Sequence, residues 1–167
     1  ARNKEDFYQS AIAFGNFQSL LSDFDASRLY ETVPDFHNTP IRFRTFQKAV
    51  EEDVCGRAAC ARREIDFYMG HRKEMEYCAQ KLAEGAVPLR VTHNDTKLNN
   101  VLLDARTGKA VCVIDLDTVM PGLAAFDFGD SIRFGANTAV EDERDLSKVS
   151  LDLELFETYV KGYLEGC

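Results

Sequence analysis

Apolar residues recur every three or four positions along the first stretch of the chain: Phe7, Ala11, Phe14, Phe17, Leu21 and Phe24. This spacing predicts an amphipathic helix over 5–24, with Asn3 and Asp6 placed to cap its start. A loop from Asp25 to Pro40 follows. Pro40 suits the first turn of a new helix capped by Asn38 or Thr39. Helical periodicity then runs over 41–54 and again over 57–84, where Ile65, Tyr68, Met75, Cys78 and Leu82 share a face and Gly85 supplies a stop. Arg62, Arg63, Arg72, Lys73 and Glu76 read as the solvated side.

The pattern changes after Pro88. Residues 89–92 form a short extended run, and the β-rich segments 101–103 and 110–114 flank a polar turn, Asp104–Lys109. Together they predict a β-hairpin. Pro121-Gly122 reads as a chain break, followed by helices over 124–135 and 146–165, the last with Val149, Leu153, Phe156, Val160 and Tyr163 on one stripe. The expected fold is mostly α with a small inserted β-hairpin, in a single domain over 1–167.

Composition narrows the class of function. Of 167 residues 45% are apolar and 29% charged, an ordinary globular balance. No run approaches the 18 or so apolar residues of a membrane span. The polar start, Ala1 to Asp6, lacks the apolar core of a signal peptide. A net charge of −8 disfavours nucleic acid or an anionic membrane as the main partner. The five cysteines include no CxxC pair and read as reduced thiols, which predicts a cytoplasmic protein. Three histidines are too few for a His-rich zinc site.

Polar chemistry gathers on both shoulders of the hairpin: His93-Asn94-Asp95-Thr96-Lys97-Leu98-Asn99-Asn100 before it and Ile114-Asp115-Leu116-Asp117 after it. A turn centred between Thr107 and Gly108 pairs residue i with 215 − i and sets Asn100 opposite Asp115. An amide oxygen and a carboxylate at the open end of a rigid ribbon suit Mg²⁺ completed by substrate phosphates. Asp95, five residues before Asn100, stands where a base could accept a hydroxyl proton. Asp117 is open to three readings: a second metal ligand, a substrate contact or a turn former. Arg133 either faces the substrate or pairs with Asp130 or Glu143. His37, in a Pro-bounded loop, either touches a sugar or caps the loop.

This constellation resembles the catalytic loop of the protein-kinase-like superfamily: His93-x-Asp95, Asn100, then Asp115 after a hairpin. The form Ile114-Asp115-Leu116-Asp117 is similar to the small-molecule branch, the aminoglycoside phosphotransferase and choline kinase family. Within it, the segments 31–40, 92–100, 113–122 and 127–134 most resemble bacterial N-acetylhexosamine 1-kinases. The resemblance implies an ATP- and Mg-dependent kinase acting on a small-molecule hydroxyl. In it, Asp95 orients or deprotonates the acceptor, Asn100 and Asp115 hold Mg²⁺, His93 braces the loop, and Lys97 neutralises the transferring group. Asp127 supports the loop from the next helix. Asp127-Phe128-Gly129 spells the protein-kinase metal motif but falls beyond Pro121-Gly122, so Asp115 is taken as the metal ligand.

Neither GxGxxG nor GxxxxGK[ST] occurs, and no strand-rich segment precedes residue 88. The chain is therefore expected to be the C-terminal, helical lobe of a longer kinase, able to fold but not to transfer phosphate alone. Choline, homoserine or an aminoglycoside are the alternative acceptors. A non-catalytic pseudokinase module, or a metal-dependent phosphoesterase using His93, Asp95, Asp115 and Asp117, are the alternative classes.

Overall fold

The computed structural model describes residues 4–167. The fold is mostly helical, with two small antiparallel ribbons. It divides into two compact units, one formed by residues 1–32 with 89–167 and the other by 33–88. Among the described residues no helix is long and apolar enough to cross a membrane.

The first unit opens with α1 (Lys4–Leu20). This helix is shorter than the predicted 5–24, and Asn3, its expected cap, lies outside the described residues. Past Leu20 the Ser22-Asp23 pair favours turn backbone. Asp25 then accepts from the Ser27 N–H at 3.1 Å to start a short 3-10 turn, Ala26–Arg28. The unit continues through β1 (Arg90–Thr92), β2 (Val101–Leu103), β3 (Ala110–Val113), β4 (Met120–Gly122), α5 (Ala124–Gly135) and α6 (Leu153–Gly166). Phe7, Ala11, Ala136 and Tyr159 form the buried cluster, flanked by Phe128, Ile132, Leu155, Phe156 and Tyr163.

α1 and α6 approach so closely that only hydrogen fits between them at three glycines. A Cβ on Gly166 would meet the Ile12 carbonyl oxygen at 2.3 Å, one on Gly162 the Tyr8 carbonyl oxygen at 2.6 Å, and one on Gly15 the Tyr163 carbonyl oxygen at 2.3 Å. This rotates α6 away from the predicted stripe. Tyr159, Gly162 and Gly166 are buried, whereas Leu153 and Val149 are exposed. The helix also begins later than residue 146, because the Asp152 carboxylate caps it by accepting from the Glu154 and Leu155 N–H groups at 2.9 and 3.0 Å.

Two strand features differ from expectation. Pro121-Gly122 is not a break but part of β4, which pairs with β1: Val91 opposite Pro121 and Thr92 opposite Met120. A two-stranded ribbon tolerates a proline on its open edge, and a Cβ at Gly122 would strike Thr92 Oγ1 at 2.3 Å. The hairpin is present, but its register is 214 − i beside the site, with Val101 opposite Val113 and Asn100 bonded to Ile114. The turn is centred one residue earlier than predicted, between Arg106 and Thr107, and is closed by the Asp104 N–H donating to the Lys109 carbonyl. Its loop is held by the Asp104 carboxylate, which accepts from the Arg106 and Thr107 N–H groups. A bulge then absorbs one residue, Val111, next to Ala110, which donates its N–H to Gln9 Oε1 of α1 at 3.3 Å.

The second unit holds α2 (Thr39–Glu52), α3 (Arg62–Gly70) and α4 (Arg72–Ala83). Asn38 caps α2 as expected, accepting from the Ile41 N–H at 3.2 Å with Pro40 in the first turn. The predicted helix over 57–84 is divided in two. A 3-10 turn, Ala58–Ala61, leads into α3, which ends at His71, where the ring binds the freed Phe67 carbonyl at 2.7 Å. Gly85, at φ +69°, closes α4: its N–H reaches the Leu82 carbonyl and that of Ala86 the Lys81 carbonyl.

Candidate active site

The loop between β1 and β2 carries Asp95, and three neighbours fix its position. The first is His93, whose side chain is fully buried. Its Nδ1 accepts the Asp95 N–H at 3.3 Å and its Nε2 lies 2.9 Å from the Ile114 carbonyl oxygen, so the proton sits on Nε2. Phe14 and Phe17 of α1 face the ring edge-on, with centroids at 5.4 and 5.9 Å. A single imidazole thus spans the Asp95 loop and the residue preceding Asp115.

The second is Asn100, whose Nδ2 donates to the Asp95 carbonyl at 2.8 Å and to its Oδ2 at 3.0 Å. With both amide protons used, the Asn100 oxygen is the atom left to act as a ligand. The third is Lys97, whose Nζ stands 3.3 Å from Asp95 Oδ1 and 5.8 Å from the centre of the Phe134 ring. The side chains of Asp95 and Lys97 are both about 30% exposed, at 29% and 30%. Asp95 is therefore anchored yet reachable.

Asp115 does not sit in the ladder. It leaves β3 in a left-handed conformation, φ 65° and ψ 59°, and begins the 3-10 turn Leu116–Thr118. A non-glycine residue in this region is uncommon and costs energy, and such residues gather at functional sites. Its carboxyl is exposed, and its pKa is raised above the ordinary value. The main cause is a hydrogen bond with the Asp117 carboxyl, then the charge of Asp117, with Asp95 adding a smaller push. The structure therefore joins Asn100 to Asp95, and Asp115 to Asp117.

The neighbouring Asp115 and Asp117 carboxyls and the remaining Asn100 amide oxygen are hard donor types of the kind a hard cation takes. Among the described residues no group of three or more His, Cys, Asp or Glu side chains converges to hold a metal.

Asp127 is not the metal aspartate that its Asp-Phe-Gly sequence spells. It lies on α5, 1% exposed, and accepts the backbone N–H of His93 at 2.9 Å and of Asn94 at 2.8 Å. It thus supports the loop from the following helix, as anticipated. Burial raises its pKa, against the opposing pull of these two hydrogen bonds.

The sequence matches the phosphotransferase enzyme family, APH, over residues 1–162. The chain belongs to this family. As an APH phosphotransferase it serves phosphoryl-group transfer, and the loop just described is where its polar side chains gather.

The remaining candidates separate. Arg133 is committed to acidic partners, Asp130 at 2.9 Å and Glu141 at 3.0 Å, rather than Glu143. Asp130 in turn accepts the Thr96 N–H at 3.0 Å, so Arg133 steadies the loop at one remove. His37 belongs to the second unit, where its ring packs on Phe36 at 4.6 Å.

Several supporting residues of this APH phosphotransferase escaped the sequence reading. Gln18, 5% exposed on α1, donates to Asp127 Oδ2 at 3.1 Å and to the Val91 carbonyl at 3.0 Å. The signal was there: Gln18 continues the stripe Phe7, Ala11, Phe14, and a polar residue on an apolar stripe needs a buried partner. Thr96 is gripped by α5, with its hydroxyl on the Asp127 carbonyl at 2.5 Å and its carbonyl taking the Ser131 hydroxyl at 2.8 Å. The buried Tyr159 hydroxyl donates to Ser131 at 2.6 Å. No local pattern marks these contacts.

Proposed function

We propose that this APH phosphotransferase is an ATP- and Mg-dependent kinase that moves the γ-phosphoryl group of ATP to the hydroxyl of a small molecule. The acceptor is the anomeric hydroxyl of an N-acetylhexosamine, and the protein acts in the cytoplasm. The observation that carries the reading is the setting of Asp95: a reachable carboxylate, oriented by Asn100 at 3.0 Å and neighboured by Lys97 at 3.3 Å. Such a carboxylate can take the acceptor's proton while the new O–P bond forms and the bond to the β-phosphate breaks. Lys97 offers positive charge to the transferring group, and His93 keeps the loop in register.

The Asn100 oxygen and the Asp115 carboxylate would hold Mg²⁺, with Asp117 beside them, and the ion would neutralise charge on the phosphates. The sugar assignment rests on the likeness of segments 31–40, 92–100, 113–122 and 127–134 to N-acetylhexosamine 1-kinases. The net charge of −8 supports a small molecule over nucleic acid or membrane as partner.

The test is ADP release with Mg·ATP in the longest natural form of the protein, against N-acetylhexosamines, choline, homoserine and aminoglycosides. An N-acetylhexosamine-specific signal is expected. A choline-only or aminoglycoside-only signal would overturn the sugar assignment. Phosphate-ester hydrolysis without ATP would overturn the kinase reading in favour of a phosphoesterase.

A further inference from the structure

The turn bearing Asp115 and Asp117 is tied to the Asp95 loop at both of its ends. At its start, the Ile114 carbonyl is held by His93 Nε2 at 2.9 Å. At its close, Thr118 and residues 93–94 exchange two hydrogen bonds. The Thr118 hydroxyl donates to the His93 carbonyl at 2.7 Å, and Asn94 Nδ2 donates to the Thr118 carbonyl at 2.9 Å. Asn94 is 5% exposed and stands at φ 66°, a left-handed backbone that turns its amide toward Thr118. Its own N–H is fixed by Asp127 at 2.8 Å, so the strap hangs from a held point.

We propose that Thr118 and Asn94 are positioning residues for the phosphoryl transfer: their reciprocal strap sets the Asp115–Asp117 turn at a fixed place relative to Asp95. The inference rests on the kinase reading above. With the Ile114 tether alone, the chain would next be held at Met120, which pairs with Thr92 in the β1–β4 ribbon, leaving residues 115–119 able to shift between those two points. The left-handed Asp115 is the natural pivot, because its backbone has a lower-energy alternative. The second tether removes that freedom, so the carboxylates stay where the reacting groups need them. Partners of metal-site residues at this distance from the chemistry govern activity by about 10–100-fold.

Thr118→Val keeps the side-chain shape and removes the donor, Thr118→Ser restores it, and Asn94→Gly keeps the positive φ without the amide. Two readouts apply: steady-state kinetics in the longest natural form, and backbone hydrogen exchange resolved over residues 115–119. Thr118→Val and Asn94→Gly are expected to lower kcat about 10-fold with little change in the acceptor KM, and to speed exchange over 115–119 while β1 and β4 stay protected. Thr118→Ser is expected to recover most of kcat. The loss from Thr118→Val should also shrink when Asp117→Asn is already present, because both act through one turn.

Unchanged kcat and unchanged exchange in Thr118→Val would overturn the proposal. So would a uniform loss of protection with normal kcat per folded molecule, which would make the strap merely structural. If the wild-type protein transfers no phosphoryl group, the kinase reading fails. Exchange then decides the strap alone, and an undisturbed 115–119 segment overturns it.

Discussion

Asp127 holds His93 by the backbone: its carboxylate takes the His93 N–H at 2.9 Å while the His93 ring reaches the Ile114 carbonyl at 2.9 Å. The loop that presents Asp95 is therefore fixed from α5 through its main chain and from the end of β3 through a side chain. Removing Asp127 should loosen this arrangement from within. Asp127→Ala leaves the N–H groups of His93 and Asn94 without an acceptor and leaves the Gln18 amide only the Val91 carbonyl. The expected destabilisation is about 2–5 kcal/mol, the cost of several buried donors left unpaired. Urea unfolding measures it, and a loss below about 1 kcal/mol would show that the loop does not depend on α5.

Asp95 should behave in the opposite way. Its side chain is partly exposed and packs into no core, so Asp95→Asn should leave the melting temperature nearly unchanged. Turnover should fall by roughly 10²–10⁴-fold, the usual range for a lost general base. Near-normal turnover, or a variant that unfolds, would falsify the assigned role.

The pair Asp115 and Asp117 makes a pH prediction. In the folded chain the Asp117 carboxyl raises the pKa of Asp115, first by hydrogen bonding and then by charge. A group raised on folding stabilises below its unfolded pKa, and that contribution is lost as pH rises through the folded value. The metal-free protein should thus gain stability on mild acidification relative to Asp117→Asn. In that variant Asp115 should titrate nearer the ordinary range. Carboxyl carbon NMR titration and melting temperature against pH check both halves, and an Asp115 titration indifferent to Asp117→Asn would overturn the pairing.

The α1–α6 contact predicts a stability effect remote from the chemistry. Gly166→Ala places a methyl 2.3 Å from the Ile12 carbonyl oxygen and 2.9 Å from the Asn16 nitrogen, both backbone atoms that cannot step aside. Forcing the helices apart should cost about 1–3 kcal/mol, read as a lower melting temperature. Gly129→Ala, with nothing within 4 Å of its added methyl, is the control and should be neutral or better.

Much of this was legible in the chain because it is local. Asn38 before Pro40 and Gly85 after α4 each act within a few residues, and each appears where the pattern put it. The site residues were legible as chemistry: the spacing of His93, Asp95, Asn100 and Asp115 names a set of acids, an amide and an imidazole around a hairpin. By itself the sequence determined the helices, the hairpin and which side chains were available to react.

Tertiary structure decided how those pieces face one another. The hairpin register turned on a bulge at Val111, next to the Ala110 N–H that Gln9 of α1 captures from 101 residues away. The strand made by Met120, Pro121 and Gly122 exists because β1 pairs with it. The buried face of α6 was set by how closely its glycines let α1 approach, not by where its largest apolar residues fall. Gln18 and Asp127 meet across 109 residues. Local propensity spans a turn or two of chain. Buried polar groups must find partners wherever the packed core brings them, and that requirement, acting over the whole unit, sets Gln18 on Asp127 and Asp127 under the His93–Asn94 backbone.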